Sequence, residues 1–147
     1  PGPEALIAYK VAYSQLLREN VPVTVAFAGN MDAAFTQLFS GRAKAAGANS
    51  QLVQNYSGRE NKKFRVLWSS GPFNDLALMA SPRVPKDQVR AVAAAFLGMQ
   101  SDPEGRKILE AASELVHAPE PLSFIAATDA DYAAYRRFYA NAPAELR

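Results

Sequence analysis

The stretch that most constrains the fold is residues 64–81, where two apolar runs are separated by a short polar turn. The first run places large apolar side chains at Phe64, Val66 and Trp68, and this period of two is typical of a β-strand. The second run, residues 76–80, is wholly apolar and short enough for a buried strand. The segment between them, residues 71–75, is rich in turn formers and therefore predicts a loop. Because binding residues are often carried by loops between buried elements, we expect this loop to contact a ligand.

Helix and strand patterns alternate before this stretch. Helices are predicted at residues 4–19, from Met31 to Phe39 and from Asn49 or Ser50 to about Tyr56; strands are predicted at residues 21–28 and 43–48. Such alternation predicts an α/β fold with a mostly parallel sheet and helices on its faces.

The chain after Ala80 is mostly helical in pattern. Helices are predicted at residues 85–100, 101–116 and 129–139, with a short strand at residues 122–126. The run Ser101-Asp102-Pro103-Glu104 is a strong helix start, because it combines a capping residue, a first-turn proline and an acid.

Composition excludes several classes of function. The net charge is only +2 and the basic residues are scattered, so we expect no nucleic-acid partner. The chain has no cysteine, which rules out disulfides, thiol catalysis and thiolate metal sites. No run of about 18 apolar residues is present, so no membrane-spanning segment is predicted. The hydrophobic content of 49% is enough for a core.

Signals for catalysis are sparse. His117 is the only histidine, and it falls at a predicted helix C-terminus, where a positive charge is stabilised. A Ser–His–Asp triad stays open as an alternative, although the Gly-x-Ser-x-Gly motif is missing. Gly-rich phosphate loops are also missing. We therefore expect no catalytic residues, no metal and no cofactor.

Signals for ligand binding are clearer. Asn30, Asn49 and Ser50 lie in turns that lead into helix N-termini, where backbone N–H groups and the helix dipole favour an anion. Helix capping would explain each of them equally well. Asp75 precedes an apolar strand, so its carboxylate either accepts hydrogen bonds from backbone N–H groups of its own turn or faces a polar ligand.

These residues lie within segments that resemble a known family. The segment FAGNMDAAFTQLFSGRAKAAGANSQLVQNY, residues 27–56, resembles the second lobe of periplasmic phosphonate- and phosphate-binding proteins of ABC importers, which are similar to other class II solute-binding proteins. Residues 64–111 and DADYAAYRRF, residues 129–138, resemble the later part of the same family. The resemblance covers nearly the whole chain, and it rests on the order and spacing of the segments.

The resemblance implies a two-lobed binding protein that closes on its ligand. Residues 1–74 would be its second α/β lobe and residues 75–147 a return segment belonging to the first lobe, so the chain, which begins with Pro1, would be only the later part of such a protein. Its partners would be a small-molecule solute and the membrane permease of an ABC importer, in the periplasm or on a lipid anchor. A homodimer would cover apolar surface left open by the incomplete lobe.

The family's site positions carry over only in part. Asn30 matches the turn before the helix, Asn49-Ser50 match the polar position after the short strand, and Asp75 matches the acid of the return turn. The family's histidine position is Met31 here, and its hydroxyl-rich turn is matched by Gly2-Pro3-Glu4, where Glu4 would repel an anion. The resemblance thus implies ligand positions Glu4, Asn30, Met31, Asn49, Ser50 and Asp75, and a small anionic or polar solute of the phosphonate or phosphate class.

Two other functions stay open on the sequence. The chain would serve as a sensor or interaction domain if the same fold were used without transport. It would be a small hydrolase if His117 were part of a catalytic site.

Overall fold

The computed structural model describes residues 2–116, 118 and 120–147, and its regular elements are helices. A π-helical turn, Leu6–Val11, leads directly into α1, Ala12–Arg18. The other α-helices are α2, Met31–Phe39; α3, Ser50–Glu60; α4, Lys86–Gly98; α5, Pro103–Leu115; and α6, Ala133–Asn141. Short 3-10 segments are Met99–Ser101, Asp129–Tyr132 and Ala144–Leu146. The predicted residue His117 lies outside the described residues.

The prediction of an α/β fold with a parallel sheet was wrong. Residues 21–28, 43–48, 64–69, 76–80 and 122–126 were predicted as strands, and across the described residues none of these segments joins a strand ladder. Many of their apolar side chains are exposed, including Val66, Leu76 and Ile125. The β-propensity of these segments was therefore not matched by strand pairing.

The difference has a physical reason. A helix closes its hydrogen bonds within its own segment, so a strong local pattern is sufficient to place it. A strand needs a second segment about 4.8 Å away and in register, and neither its existence nor its position is encoded locally. The alternation in residues 64–68 indicates only that these side chains favour a β-strand. A sheet also requires a second strand that pairs with the backbone N–H and C=O groups.

The local helix signals were confirmed. α2 begins after Asn30, whose Oδ1 accepts a hydrogen bond from the Ala33 N–H at 2.8 Å, and Gly41 follows its end with φ +76°. α5 begins with Pro103 after Asp102, whose carboxylate accepts from the Gly105 N–H at 2.7 Å. These signals hold because capping depends on residues three or four apart.

The chain divides into two compact units, Pro1–Phe73 with Ala133–Arg147, and Asn74–Tyr132. The core of the first unit is built by Val11 and by three residues near the C-terminus, Phe138, Ala142 and Leu146. Phe73 packs edge-on against Tyr135 of α6 with ring centroids 5.1 Å apart. Residues from both ends of the sequence therefore close one core. The predicted lobes 1–74 and 75–147 stay a prediction.

A second packing centre in the first unit is the aromatic cluster, which we define as Phe35, Phe39, Tyr56 and Phe64. The ring centroids of Phe35 and Tyr56 lie 4.8 Å apart, and those of Phe35 and Phe64 lie 5.0 Å apart. Phe35 and Tyr56 are buried. This cluster holds α2 against α3 and thereby places the starts of both helices within one unit.

The second unit is organised by α4 and α5. Leu109 of α5 is buried, and Phe96 of α4 packs against Phe124 at 4.7 Å between ring centroids. The Ser113 hydroxyl is buried; it donates to the Leu109 carbonyl at 2.6 Å and accepts from the Leu122 N–H at 2.7 Å. This hydroxyl therefore joins the backbone at Leu122 to the last turns of α5.

A close backbone approach in the first unit generates a stability prediction. A Cβ atom added at Gly47 would overlap the Ala8 carbonyl oxygen and would lie 3.3 Å from the Ala12 Cβ. We expect Gly47→Ala to lower the free energy of unfolding by about 1–3 kcal/mol, because the backbone of the π-helical turn would have to move. Urea unfolding followed by circular dichroism measures this change.

Gly58→Ala is the matched control. Gly58 lies inside α3, and a Cβ atom there would meet nothing within 4 Å. Alanine should raise the free energy of unfolding by about 0.5–1 kcal/mol through helix propensity. Equal effects of the two substitutions would contradict the close approach at Gly47.

Candidate functional site

The start of α2 carries two of the predicted ligand positions, Asn30 and Met31. The Asn30 side chain is engaged as the N-cap, since it accepts from the Ala33 N–H at 2.8 Å. Met31 is the first residue of the helix and is half-buried. Asp32 adds a carboxylate to the first turn. The capping alternative for Asn30 is confirmed, and a ligand role stays a prediction.

An ion pair joins this helix start to the end of α3. The Arg59 guanidinium lies 2.7 Å from the Asp32 carboxylate and 2.9 Å from that of Glu60. It also lies 5.3 Å from the centroid of the Tyr56 ring. The hydrogen bond to Glu60, followed by attraction to Asp32, raises the pKa of Arg59 above its ordinary value. The sequence gives no local signal for Arg59, because its partner Asp32 lies 27 residues away.

The start of α3 differs electrostatically from the start of α2. Asn49 occupies the N-cap position in an extended conformation, but its side chain makes no capping hydrogen bond, and the first turn contains no acid. Asn49 and Ser50 are both exposed. The positive end of this helix dipole is therefore not offset by a carboxylate in the first turn, whereas the start of α2 contains Asp32.

Glu4, which was expected to repel an anion, forms an ion pair with Lys10. The Glu4 carboxylate lies 3.5 Å from the Lys10 ammonium, with side chains 91% and 12% exposed, respectively. The Lys10 ammonium also lies 5.8 Å from the centroid of the Tyr139 ring. The pairing of Lys10 with Glu4 leaves no signal in the sequence, because helical side-chain pairs are expected three or four residues apart and not six.

Asp75 is tied to its own segment. Its Oδ1 accepts from the Leu76 N–H at 2.8 Å, and its carbonyl oxygen accepts from the Tyr132 hydroxyl at 3.1 Å. Next to it, the Asn74 side-chain amide donates to the Asp131 carbonyl at 2.7 Å. These bonds match the alternative in which the carboxylate stabilises its own turn. A ligand role for Asp75 stays a prediction.

Asp131 organises the other side of this contact. One oxygen of its carboxylate accepts from the Thr128 N–H at 2.7 Å and from the Thr128 hydroxyl at 2.8 Å. These two hydrogen bonds, led by the backbone one, lower the pKa of Asp131. The arrangement closes the turn that begins the 3-10 segment Asp129–Tyr132.

The structure brings only some of the predicted positions into one unit. Glu4, Asn30, Met31, Asn49 and Ser50 all belong to the first unit, where α2 and α3 pack through the aromatic cluster. Asp75 belongs to the second unit. The convergence of all six on a single solute stays a prediction.

Two further properties concern the described part of the chain. Within it, no group of three or more His, Asp or Glu side chains is arranged to hold a metal ion. None of its helices combines the length and the apolar character needed to cross a lipid bilayer.

The contrast between the two helix starts is testable. Asn30→Ala removes a capping hydrogen bond and should lower the free energy of unfolding by about 1 kcal/mol. Asn49→Ala removes a side chain that makes no such bond and should change it by only about 0.3 kcal/mol. Paired urea unfolding curves measure both values, and a larger loss at Asn49 would contradict the assignment.

The lowered pKa of Asp131 predicts acid sensitivity. Because the folded pKa lies below the unfolded value of about 3.9, this contribution to stability is present above that pH and is lost as the pH falls through the folded pKa. Asp131→Asn should therefore lower the melting temperature at pH 7 more than at pH 3. Thermal melts across this range give the comparison, and a deficit independent of pH would contradict it.

A family model described as the phosphonate-binding periplasmic substrate-binding protein of an ABC transporter matches residues 3–132. Searches of curated proteins and of solved structures found no significant match. The family match spans most of the chain and agrees with the resemblance stated from the sequence. The chain therefore belongs to the family of phosphonate-binding, periplasmic substrate-binding proteins of ABC transporters.

Proposed function

We propose that this chain binds a small solute carrying an anionic oxygen-rich group, of the phosphonate or phosphate class, and passes it unchanged to the permease of an ABC importer. The observation that carries this proposal is the family match over residues 3–132. Membership of the family implies a substrate-binding component that works outside the cytoplasmic membrane with a transporter.

The N-terminus of α3 is the position that we assign to the anionic group. Free N–H groups of a first helical turn and the positive end of the dipole attract oxyanions. At α3 the first turn contains no acid, whereas at α2 it contains Asp32, whose carboxylate is paired with Arg59. Asn49 and Ser50 add an exposed amide and an exposed hydroxyl, both of which donate hydrogen bonds.

The other predicted positions have different roles in this proposal. Met31 supplies apolar surface, since a thioether does not donate a hydrogen bond. Asn30 supports α2 as its cap. The Glu4 carboxylate is paired with Lys10, which reduces the repulsion that an isolated carboxylate would exert on an anion. Asp75 belongs to the second unit, where its carboxylate accepts from the Leu76 N–H of its own turn.

Charge alone does not distinguish one tetrahedral oxyanion from another. The proposed donors are an amide, a hydroxyl and backbone N–H groups, and each of these binds phosphonate, phosphate or sulfate oxygens. Selection among these anions depends on the remaining substituents of the solute. The proposal is therefore made at the level of the solute class.

A panel of defined probes tests the solute class. Methylphosphonate, inorganic phosphate, sulfate and methanesulfonate are added separately to the purified chain, and the melting temperature is measured. A solute that binds the folded state, present at a free concentration 100 times its Kd, should stabilise that state by about 2.7 kcal/mol and raise the melting temperature. The absence of any rise across the panel would contradict the proposal.

Asn49→Asp separates binding from stability. Aspartate is as good an N-cap as asparagine and suits the helix dipole, so the free energy of unfolding should be unchanged or higher. Its negative charge at the assigned position should raise the Kd for methylphosphonate at least about tenfold, or about 1.4 kcal/mol. Isothermal titration calorimetry measures the Kd.

Gln54→Glu is the matched charge control. Gln54 is exposed on α3, more than one turn beyond the helix start, so the same charge is added to the same helix away from the assigned position. The Kd should change by less than about threefold. Equal losses in the two variants would indicate a general effect of charge and would contradict the role of Asn49.

A further inference from the structure

The ion pair between Glu4 and Lys10 in the first unit is strongly asymmetric in exposure. The Lys10 side chain is only 12% exposed, whereas the Glu4 side chain is 91% exposed. Among the described residues, Lys10 is the one ion-pair or hydrogen-bond partner of the Glu4 carboxylate. The cation is therefore held in place by the packing of the first unit, while the carboxylate is held by the cation alone.

Two contacts fix the position of Lys10. Its backbone lies in the π-helical turn, where the Ala5 carbonyl accepts from the Tyr9 N–H at 3.0 Å and from the Lys10 N–H at 3.1 Å. Its ammonium lies 5.8 Å from the centroid of the Tyr139 ring, which belongs to α6. Since most of the side chain is buried, little rotamer freedom is left for an incoming anion to remove.

The Lys10 ammonium has donor capacity that Glu4 does not fill. A lysine ammonium carries three N–H donors. The Glu4 carboxylate oxygen lies 3.5 Å from it. A charge-assisted hydrogen bond is shorter, at roughly 2.8 Å. An anion that approaches this ammonium more closely would therefore gain more from it than Glu4 does.

The Glu4 carboxylate is also easy to displace. An ion pair with a highly exposed member contributes little to stability, so its carboxylate moves into solvent at small cost. A doubly charged phosphonate or phosphate group is attracted to an ammonium more strongly than a single carboxylate at the same distance. Glu4 thus occupies the place at Lys10 that such an anion would take.

We propose that Lys10 is an oxyanion-binding residue and that the Glu4 carboxylate competes with the solute for it. Binding of the anionic group at Lys10 displaces Glu4 into solvent, and the carboxylate returns when the anion leaves. The competition lowers the affinity of the chain for its solute. This inference rests on the solute class of the proposed function, and it does not depend on the assignment of the anion to the start of α3.

Glu4→Gln tests the competition, because it removes the carboxylate charge and keeps the size of the side chain. Isothermal titration calorimetry of the full 147-residue chain uses methylphosphonate and inorganic phosphate as probes. The Kd should be at least about threefold lower than that of the unaltered chain, since the weak internal pair no longer opposes binding. The same decrease should appear when Glu4→Gln is combined with Asn49→Asp, because Lys10 acts independently of the start of α3.

Lys10→Met tests the cation. Methionine keeps a long apolar side chain in the buried position, and circular dichroism shows whether the variant is folded. Its Kd for methylphosphonate should be at least about tenfold higher than that of the unaltered chain. In the double variant, Glu4→Gln should bring no further gain, because its effect requires the Lys10 ammonium. A gain that persists without Lys10 would overturn the proposal.

Glu104→Gln is the matched control. Glu104 pairs with Lys107 of α5 at 2.8 Å, and both side chains are well exposed, 77% and 69%, respectively. The variant frees a lysine that is not held by packing, so the Kd should stay unchanged. An equal decrease in Kd for Glu104→Gln and Glu4→Gln would indicate a general effect of net charge and would overturn the proposal.

The titrations also separate this inference from the proposed function. If the unaltered chain binds the probes and Glu4→Gln binds them equally well, the proposed function stands and the competition by Glu4 is overturned. If only the Glu4→Gln chain binds them, the competition is supported and the unaltered chain does not bind this solute class. Failure of both chains to bind would overturn both proposals.

Discussion

The structure depends above all on where the backbone hydrogen bonds are made. Helices α1–α6 close theirs locally, so their positions follow from short-range signals such as the Asn30 and Asp102 caps. The extended segments make no ladder with one another in the described part of the chain, and their apolar side chains stay largely exposed. This difference explains why one part of the sequence forms a compact core and another part presents apolar surface.

The candidate site rests on an electrostatic difference between two helix starts that look alike in sequence. Both follow a turn that ends in asparagine, yet only α2 uses that side chain as a cap and only α2 carries a first-turn acid. The acid is visible in the sequence, whereas its pairing with Arg59 depends on the packing of α2 against α3. The aromatic cluster supports the site indirectly, because its rings pack α2 against α3. The start of α3 keeps its attraction for an anion.

Family membership and the absence of a sheet in the described residues provide different kinds of information. The family match follows from the order of residues along the chain and identifies a substrate-binding protein of an ABC transporter. The helical structure describes how these 147 residues satisfy their own bonds.

The sequence by itself determined where the helices lie, the family, and the exclusion of thiol chemistry, because these follow from residue identity and from contacts over three or four positions. It also placed Asn30 and Asn49 at helix starts. Only the tertiary structure decided which of the two acts as a cap, that Lys10 pairs with Glu4, and that Arg59 pairs with Asp32. It also decided that the strand-like segments stay unpaired. Pairing between strands and between distant charges is a property of two segments at once, and no single stretch of sequence contains both.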